Sequence, residues 1–306
     1  MSPLKNNRLF IVLLSAFVMI IITILILPKK DDSKNLYDKF WLHKTFSEPI
    51  YDIVIMGDSR AYRGISPKKM QEYLEKRKIL NFGYSSGRLN PFMFHQAENK
   101  LNPLSTKKAI IIALSPNMLT FIPDENKQIL QYINMPREEK YEILYFYETL
   151  KNFKAIKFGD IFPSKNTKQQ VIYYEEYKLD GWVASNKIPE DTSEAINTYM
   201  QWFTANNVSN NHINSLILQT RKWTDNHIAV YSFMMPASWS MEKLEDSLSG
   251  FNESDFSKLF IEAGGQWIVF KDNKYHSYDG SHLNKNSALK FSENLANEIL
   301  VREKNK

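Results

Sequence analysis

Ile53-Val-Ile-Met-Gly-Asp-Ser-Arg60 decides how the chain is read. An apolar run rich in β-branched residues breaks off into small and polar ones, as when a strand covered on both faces delivers its last residues into a turn. In open α/β sheets ligands bind where loops leave the carboxyl ends of the strands. Ser59 therefore stands where a reacting hydroxyl would be useful. Without its surroundings, the same stretch reads equally well as a strand-to-helix connection in which the serine caps a helix.

Near the far end of the chain, Tyr278-Asp-Gly-Ser-His-Leu-Asn284 precedes Ser287-Ala-Leu-Lys-Phe-Ser-Glu-Asn-Leu-Ala-Asn-Glu-Ile-Leu300, whose apolar positions recur three and four apart as in a helix. Asp279 and His282 lie three residues apart just before that helix. The carboxylate can reach one ring nitrogen while the other stays free to take a proton from a hydroxyl. These are the two members a serine triad lacks. The plainer reading makes Asp279 a turn residue and His282 a cap. His276 is a rival base at the wrong spacing; His95, His212 and His227 read as helix or turn residues, and no pair has metal-ligand spacing such as His-Glu-x-x-His.

Between the two ends the chain alternates. A strand at about 51–56 is followed by Ser66-Pro67, a helix start with Met70, Tyr73 and Leu74 on one face. A second strand, Ile79-Leu-Asn-Phe82, runs into Gly83-Tyr-Ser-Ser-Gly87. After a helix from Pro91, a third, Ala109-Ile-Ile-Ile-Ala-Leu114, runs into Ser115-Pro-Asn117. The fold class is α/β with a parallel, doubly wound sheet. From about 121 to 210 the alternation stops; the stretch is helical and aromatic, with no convincing buried strand, and is expected to be an insertion. Its rings, among them Tyr145, Tyr147, Phe153, Phe158, Phe162, Tyr174, Trp182, Tyr199 and Trp202, either pack at helical spacing or offer a stacking surface for carbohydrate. The sheet resumes with a helix near 211–224, a strand His227–Phe233, helices between about 241 and 263, and a last strand Gln266–Phe270.

Leu9 to Leu27 carries no charge, and as a helix it would be about 28 Å long, enough to span a bilayer core. The run exceeds a signal-peptide core, and Pro28-Lys-Lys-Asp-Asp32 offers no small-x-small cleavage site. An uncleaved anchor over 9–27 is expected, then a juxtamembrane linker or first helix over 31–48, then the main domain over 49–306. Lys5 and Arg8 before the span and Lys29, Lys30 and Lys34 after it leave its orientation open. At 306 residues and 43% hydrophobic the chain supports one main core plus an insertion. A net charge of +5 from scattered lysines is no nucleic-acid footprint, though an anionic surface or polymer fits. The absence of cysteine excludes disulfides, thiolate metal sites and a cysteine nucleophile. The chemistry falls to serine, histidine and carboxylates, with no cofactor.

Gly57-Asp-Ser59 after the first strand, the Gly-containing turn after the second, Asn117 after the third and Asp279-x-x-His282 before the last helix resemble, in order, the four signature blocks of the SGNH/GDSL hydrolase superfamily. The resemblance covers about residues 50–300 apart from the insertion. It implies a flavodoxin-like three-layer α/β/α sandwich with a parallel five-stranded sheet, and ester hydrolysis or acyl transfer. Gly-Asp-Ser-Arg behind a single anchor is similar to membrane-tethered members associated with O-acylation of cell-envelope polysaccharides, such as alginate O-acetylation and teichoic-acid D-alanylation proteins.

Carried onto this chain, Ser59 is the nucleophile, His282 the general base and then acid, and Asp279 the group that orients the imidazole. The oxyanion hole falls to the N–H of Ser59, an N–H of the 83–87 turn and the Asn117 side chain. The family's Gly aligns best with Gly87 and nearly as well on Ser86, and its Gly-Gly-Asn-Asp is here Ser115-Pro-Asn-Met118. Ser86 and Arg60 are substrate-binding candidates, Arg60 either meeting a polymer carboxylate or phosphate or forming an ion pair that holds the nucleophile turn. The expectation is an anchored, extracytoplasmic serine esterase or O-acyltransferase acting on acylated, chiefly acetylated, envelope polysaccharide, with a membrane-bound O-acyltransferase as a candidate partner. The alternative is a non-catalytic accessory protein of the same fold that binds a glycan or such a partner.

Overall fold

The decisive apolar run is strand β1, Ile53–Gly57, and all five of its residues are buried. A computed structural model describes residues 3–26, 33–75, 77–121, 125–146, 172–270 and 275–304. Its other strands are β2 (Ile79–Asn81), β3 (Ala109–Leu114), β4 (Ile172–Tyr177), β5 (Val183–Ile188), β6 (Ala229–Met234) and β7 (Gln266–Trp267). Its α-helices are α1 (Pro3–Ile26), α2 (Ser33–Thr45), α3 (Ser59–Gly64), α4 (Pro67–Gln71), α5 (Pro91–Glu98), α6 (Lys127–Ile133), α7 (Arg137–Tyr141), α8 (Glu194–Ala205), α9 (Asn210–Asp225), α10 (Trp239–Leu248), α11 (Glu253–Glu262) and α12 (Lys285–Lys304). The chain divides into two units, one from residues 1–39 and 135–168, the other from 40–134 and 169–306.

The second unit carries a five-stranded sheet in the order β2-β1-β3-β6-β7, every neighbouring pair parallel. Ile53 lies opposite both Ile79 and Ala109, and Gly57 opposite Ala113. Successive side chains of a strand turn to opposite faces. Ile53, Ile55, Ile111, Ala113 and Phe233 share one core cluster with Ala288, Phe291, Leu295 and Ile299 of α12. The alternate residues Val54, Met56, Ile110, Ile112 and Val230 are equally buried, and around α5 and α9 Phe94 meets Trp223 edge-on at 5.6 Å. Helices thus flank the sheet, which is why its strands are continuous apolar runs rather than alternating ones.

Two helix starts follow the sequence closely. Ser66 accepts from the N–H of Lys69 at 3.3 Å and Asn90 from that of Met93 at 3.1 Å, each with proline next in the chain. Gly57 permits the sharp turn into α3, because a Cβ there would fall 2.2 Å from the Cβ of Ala61.

The structure departs from expectation in the middle of the chain and at its start. The insertion is not helical throughout: β4 and β5 form an antiparallel hairpin, Ile172 opposite Ile188 and Tyr177 opposite Val183. Val183, Ala184 and Ser185 are buried, and the Trp182 indole N–H donates to the carbonyl of Arg63 at 2.9 Å. Residues 169–210 therefore belong to the sheet unit, while 135–168 fall in the other. Tyr147, Phe153, Phe158 and Phe162 lie outside the described residues. Nor is 31–48 simply a linker: Phe40, Trp41 and Leu42 of α2 are buried in the sheet unit, with Trp41 5.2 Å from the ring of Tyr62 and 5.3 Å from that of Tyr84.

In the other unit, α1 exposes Leu9, Phe10, Ile11, Val12, Leu13, Leu14, Phe17, Val18 and Met19. Among the described residues no helix is long and apolar enough to cross a membrane; Leu27 and the flank Pro28–Asp32 lie outside them.

Because Trp41 is fully enclosed, Trp41→Ala should cost about 3–5 kcal/mol. Leu104→Ala, at an 87% exposed site, should stay within about 0.5 kcal/mol. Urea unfolding followed by circular dichroism checks both.

Candidate active site

The end of β1 is organised by Asp58. Its carboxylate caps α3 through the N–H of Arg60 at 2.9 Å and accepts the Ser115 hydroxyl at 2.5 Å, tying the turn after β1 to the turn after β3. Asn81, at the end of β2, donates to the carbonyls of Ala61 and Ile65 at 2.8 Å each and accepts from the N–H of Gly83 at 3.1 Å, fastening the turn after β2 to α3. Ser59 is the first residue of α3.

The loop before α12 meets it there. Asp279 Oδ1 accepts the backbone N–H of Ser281 at 2.9 Å and of His282 at 2.8 Å, and Oδ2 lies 2.6 Å from His282 Nδ1. With the carboxylate on Nδ1 that nitrogen carries the proton, so Nε2 accepts from the Ser59 hydroxyl at 2.8 Å. The three sequence candidates are joined in one line. Tyr278 stacks on the imidazole, 18° from parallel at 5.8 Å, and its hydroxyl lies 3.1 Å from that of Tyr173 and 3.3 Å from that of Ser185. The hairpin that sequence reasoning missed thus braces Tyr278 against the His282 ring.

Burial pushes the Asp279 carboxyl up, but the hydrogen bond and charge of His282 and the two backbone N–H donors outweigh it and hold the group at about 2.

Among the oxyanion candidates the structure corrects one. The N–H of Gly87 donates to the carbonyl of Tyr84 at 3.0 Å and is not offered to a substrate. A Cβ at Gly87 would come within 2.8 Å of the carbonyl of Gly57, so the glycine serves the close approach of the two turns. Ser86, with φ of +52°, lines the cavity beside Ser59, and among the described residues neither its N–H nor that of Ser59 has an acceptor. Asn117 Oδ1 faces Arg88 Nη2 at 3.4 Å and Thr120 Oγ1 at 3.5 Å, which leaves the amide nitrogen as its uncommitted group. Asn117 lines the same cavity of about 310 Å³, with Ser85, Thr198, Tyr199, Trp202, Asp279 and His282.

Arg60 is a second correction. It is 1% exposed, its Nη2 and Nη1 lie 2.7 and 3.1 Å from the two carboxylate oxygens of Glu245, and its Nε donates to the Ser281 hydroxyl at 3.0 Å. It faces inward and is not placed to meet substrate; of the two roles weighed for it, the ion pair is realised. His276 is exposed, His95 lies 3.0 Å from the Asn99 amide, and His212 Nδ1 lies 3.2 Å from the Leu119 carbonyl, all apart from the triad. Among the described residues no group of three or more His, Cys, Asp or Glu side chains is placed to hold a metal ion.

No family model matches the chain, and no curated protein matches it. A solved structure from Streptococcus pneumonia, provisionally named a platelet activating factor, is similar at 12% identity over 95% of this chain and 99% of that one, with a TM-score of 0.37. So loose a superposition fixes neither fold nor chemistry.

A carboxyl held below its ordinary value contributes stability that is complete above its unfolded pKa and lost as pH falls through the folded one. For Asp279, lowered from 3.8 to about 2, the contribution is on the order of 2 kcal/mol. In urea unfolding, the stability gap between the protein and its Asp279→Asn variant should be full above about pH 5 and shrink between about pH 4 and 2. A gap that stays constant across that window would count against an ionised Asp279 on His282.

Proposed function

We propose that this protein is an SGNH-type serine esterase or O-acyltransferase that works through an acyl-Ser59 intermediate. The reading is carried by the continuous hydrogen-bonded line from Ser59 Oγ through the His282 ring to Asp279 at 2.8 and 2.6 Å, opening on a cavity with donors free. A serine hydroxyl is a poor nucleophile at neutral pH and must lose its proton as it attacks. His282 Nε2 takes that proton, Asp279 stabilises the imidazolium, and the same proton then passes to the leaving alcohol oxygen as the ester C–O bond breaks. The N–H groups of Ser59 and Ser86 and the amide of Asn117 meet the oxyanion, each worth roughly 3 kcal/mol of barrier. Water attacking the acyl-serine gives a hydrolase; a sugar hydroxyl gives a transferase.

The substrate we assign is an acyl, chiefly acetyl, ester on cell-envelope polysaccharide, and the location is the outer side of the cytoplasmic membrane with the uncharged run Leu9–Leu27 as anchor. Support comes from the likeness of Gly57-Asp-Ser-Arg60 behind the uncharged run Leu9–Leu27 to tethered O-acylation proteins, from the exposed apolar side chains of α1, and from the cavity wall, which mixes polar side chains such as Ser85, Asn117 and Thr198 with rings such as the 40% exposed Trp202. A membrane-bound acyltransferase would supply the acyl group.

The full-length protein in detergent should label with a fluorophosphonate and hydrolyse aryl acetates. Ser59→Ala or His282→Ala should remove labelling and lower kcat by about 10⁴-fold or more, and Asn117→Ala should lower kcat by about 10²–10³-fold. A folded protein that never labels yet retains an envelope glycan would instead be the accessory protein.

Topology is checked separately. Protease added outside intact cells should remove the sheet unit. Protection, while a known external protein is digested, would overturn the placement.

A further inference from the structure

Among the buried cations that the proton transfers above leave unused, Arg60 lies nearest the nucleophile in the chain, one residue after Ser59. Arg60 spends its fork on Glu245 of α10 and its Nε on Ser281, and its guanidinium lies 4.9 Å over the ring of Tyr199 on α8. The Ser281 hydroxyl, accepting from Arg60, donates in turn to the Tyr199 hydroxyl at 3.1 Å. Glu245, Ser281 and Tyr199 are all buried. One enclosed cluster therefore joins the residue after the nucleophile to the residue before the base, and fastens both to two helices.

A buried ion pair is weak support for stability as such, since apolar replacements of similar volume are often neutral or better. What the guanidinium supplies is a planar set of donors at fixed angles, which an ammonium on a flexible stem does not. Each reacting residue is one peptide link from the cluster. A displacement of about 1 Å between the two loops would break the Ser59–His282 bond, and misplacement of that size costs on the order of 10²-fold in rate.

We propose that Arg60 is a positioning residue that, through Ser281 and Glu245, sets the separation of Ser59 and His282. This rests on the reading of Ser59 as nucleophile. Ser281→Ala is the cleanest probe, because it cuts the link to the base loop while leaving the Arg60–Glu245 pair and the bond from the Ser281 N–H to Asp279 in place. Arg60→Lys is the second.

In the full-length protein with an aryl acetate, each variant should lower kcat by about 10- to 100-fold with KM within about three-fold. The double variant should be no slower than the worse single, because the two side chains act in one chain of contacts. In imidazole ¹⁵N spectra, the Nε2 resonance of His282 in both variants should move toward its position in Ser59→Ala, where the bond from the serine is absent. This second readout needs no turnover, so a wild-type protein inert toward every ester would overturn the esterase reading while the spectra still judged the positioning. Variants that melt earlier but keep the wild-type kcat and Nε2 position, or whose effects on kcat simply multiply, would overturn the proposal.

Discussion

Ser59 and His282 stand 223 residues apart in the chain and 2.8 Å apart in space, and holding that distance is the constraint on which the rest of the structure depends. Parallel strands meet it because they all leave the sheet on the same edge, so loops from distant parts of the sequence arrive together. The turn after β1 is then locked to its neighbours by polar side chains within the sheet's end: Asp58 reaches Ser115, and Asn81 reaches Ala61 and Ile65. The Asp279–His282 loop is fixed on its other side by α12, whose Ala288, Phe291 and Leu295 fill the core under the sheet.

Much of this was legible in the sequence for reasons of locality. A strand buried on both faces writes itself as a run of β-branched residues: β3 matches its expected bounds to the residue, and β1, expected at about 51–56, runs from 53 to 57. Caps such as Ser66 and Asn90 act within three positions, and so does the Asp279-x-x-His282 turn. What was not legible depends on partners far away. The β4–β5 hairpin carries tyrosines and glutamates on its exposed strand, and its stability comes from Val183–Ser185 and from the bond of Trp182 to Arg63, none of which shows as a local pattern. Whether Gly87 or Ser86 offers its N–H turns on the direction of single peptide planes, fixed by the carbonyl of Tyr84 and a positive φ at Ser86. That Glu245, rather than its neighbours Glu242 and Asp246, would meet Arg60 left no trace in composition or spacing.

Within the sheet unit, buried cations also fasten the carboxyl end of α2, from Phe40 onward. Lys100 Nζ donates to the carbonyls of Thr45 and Ser47 at 2.7 and 3.0 Å, at the carboxyl end of that helix, where backbone acceptors lack partners. Lys44 Nζ donates to the carbonyl of Gly181 at 3.0 Å and faces the rings of Phe40, Trp41, Tyr62 and Tyr84. Burial lowers the Lys44 amine well below its ordinary value, although the charge of Asp180 opposes this, and brings Lys100 down to about 8. Through Lys44, α2 is coupled to the β4–β5 turn at Gly181 and to α3 at Tyr62.

The place of α12 at the far end of the sheet unit has a consequence in time. As a chain leaves the ribosome, β1, β2 and β3 with their turns are made early, but the face of the sheet carrying Ile53, Ile111 and Phe233 stays open until Phe291 and Leu295 follow. Those residues emerge just after His282, so the imidazole and the last wall of the core come out together. A nascent chain therefore holds Ser59 without the imidazole it bonds to until the residues that close this face of the core are also being made.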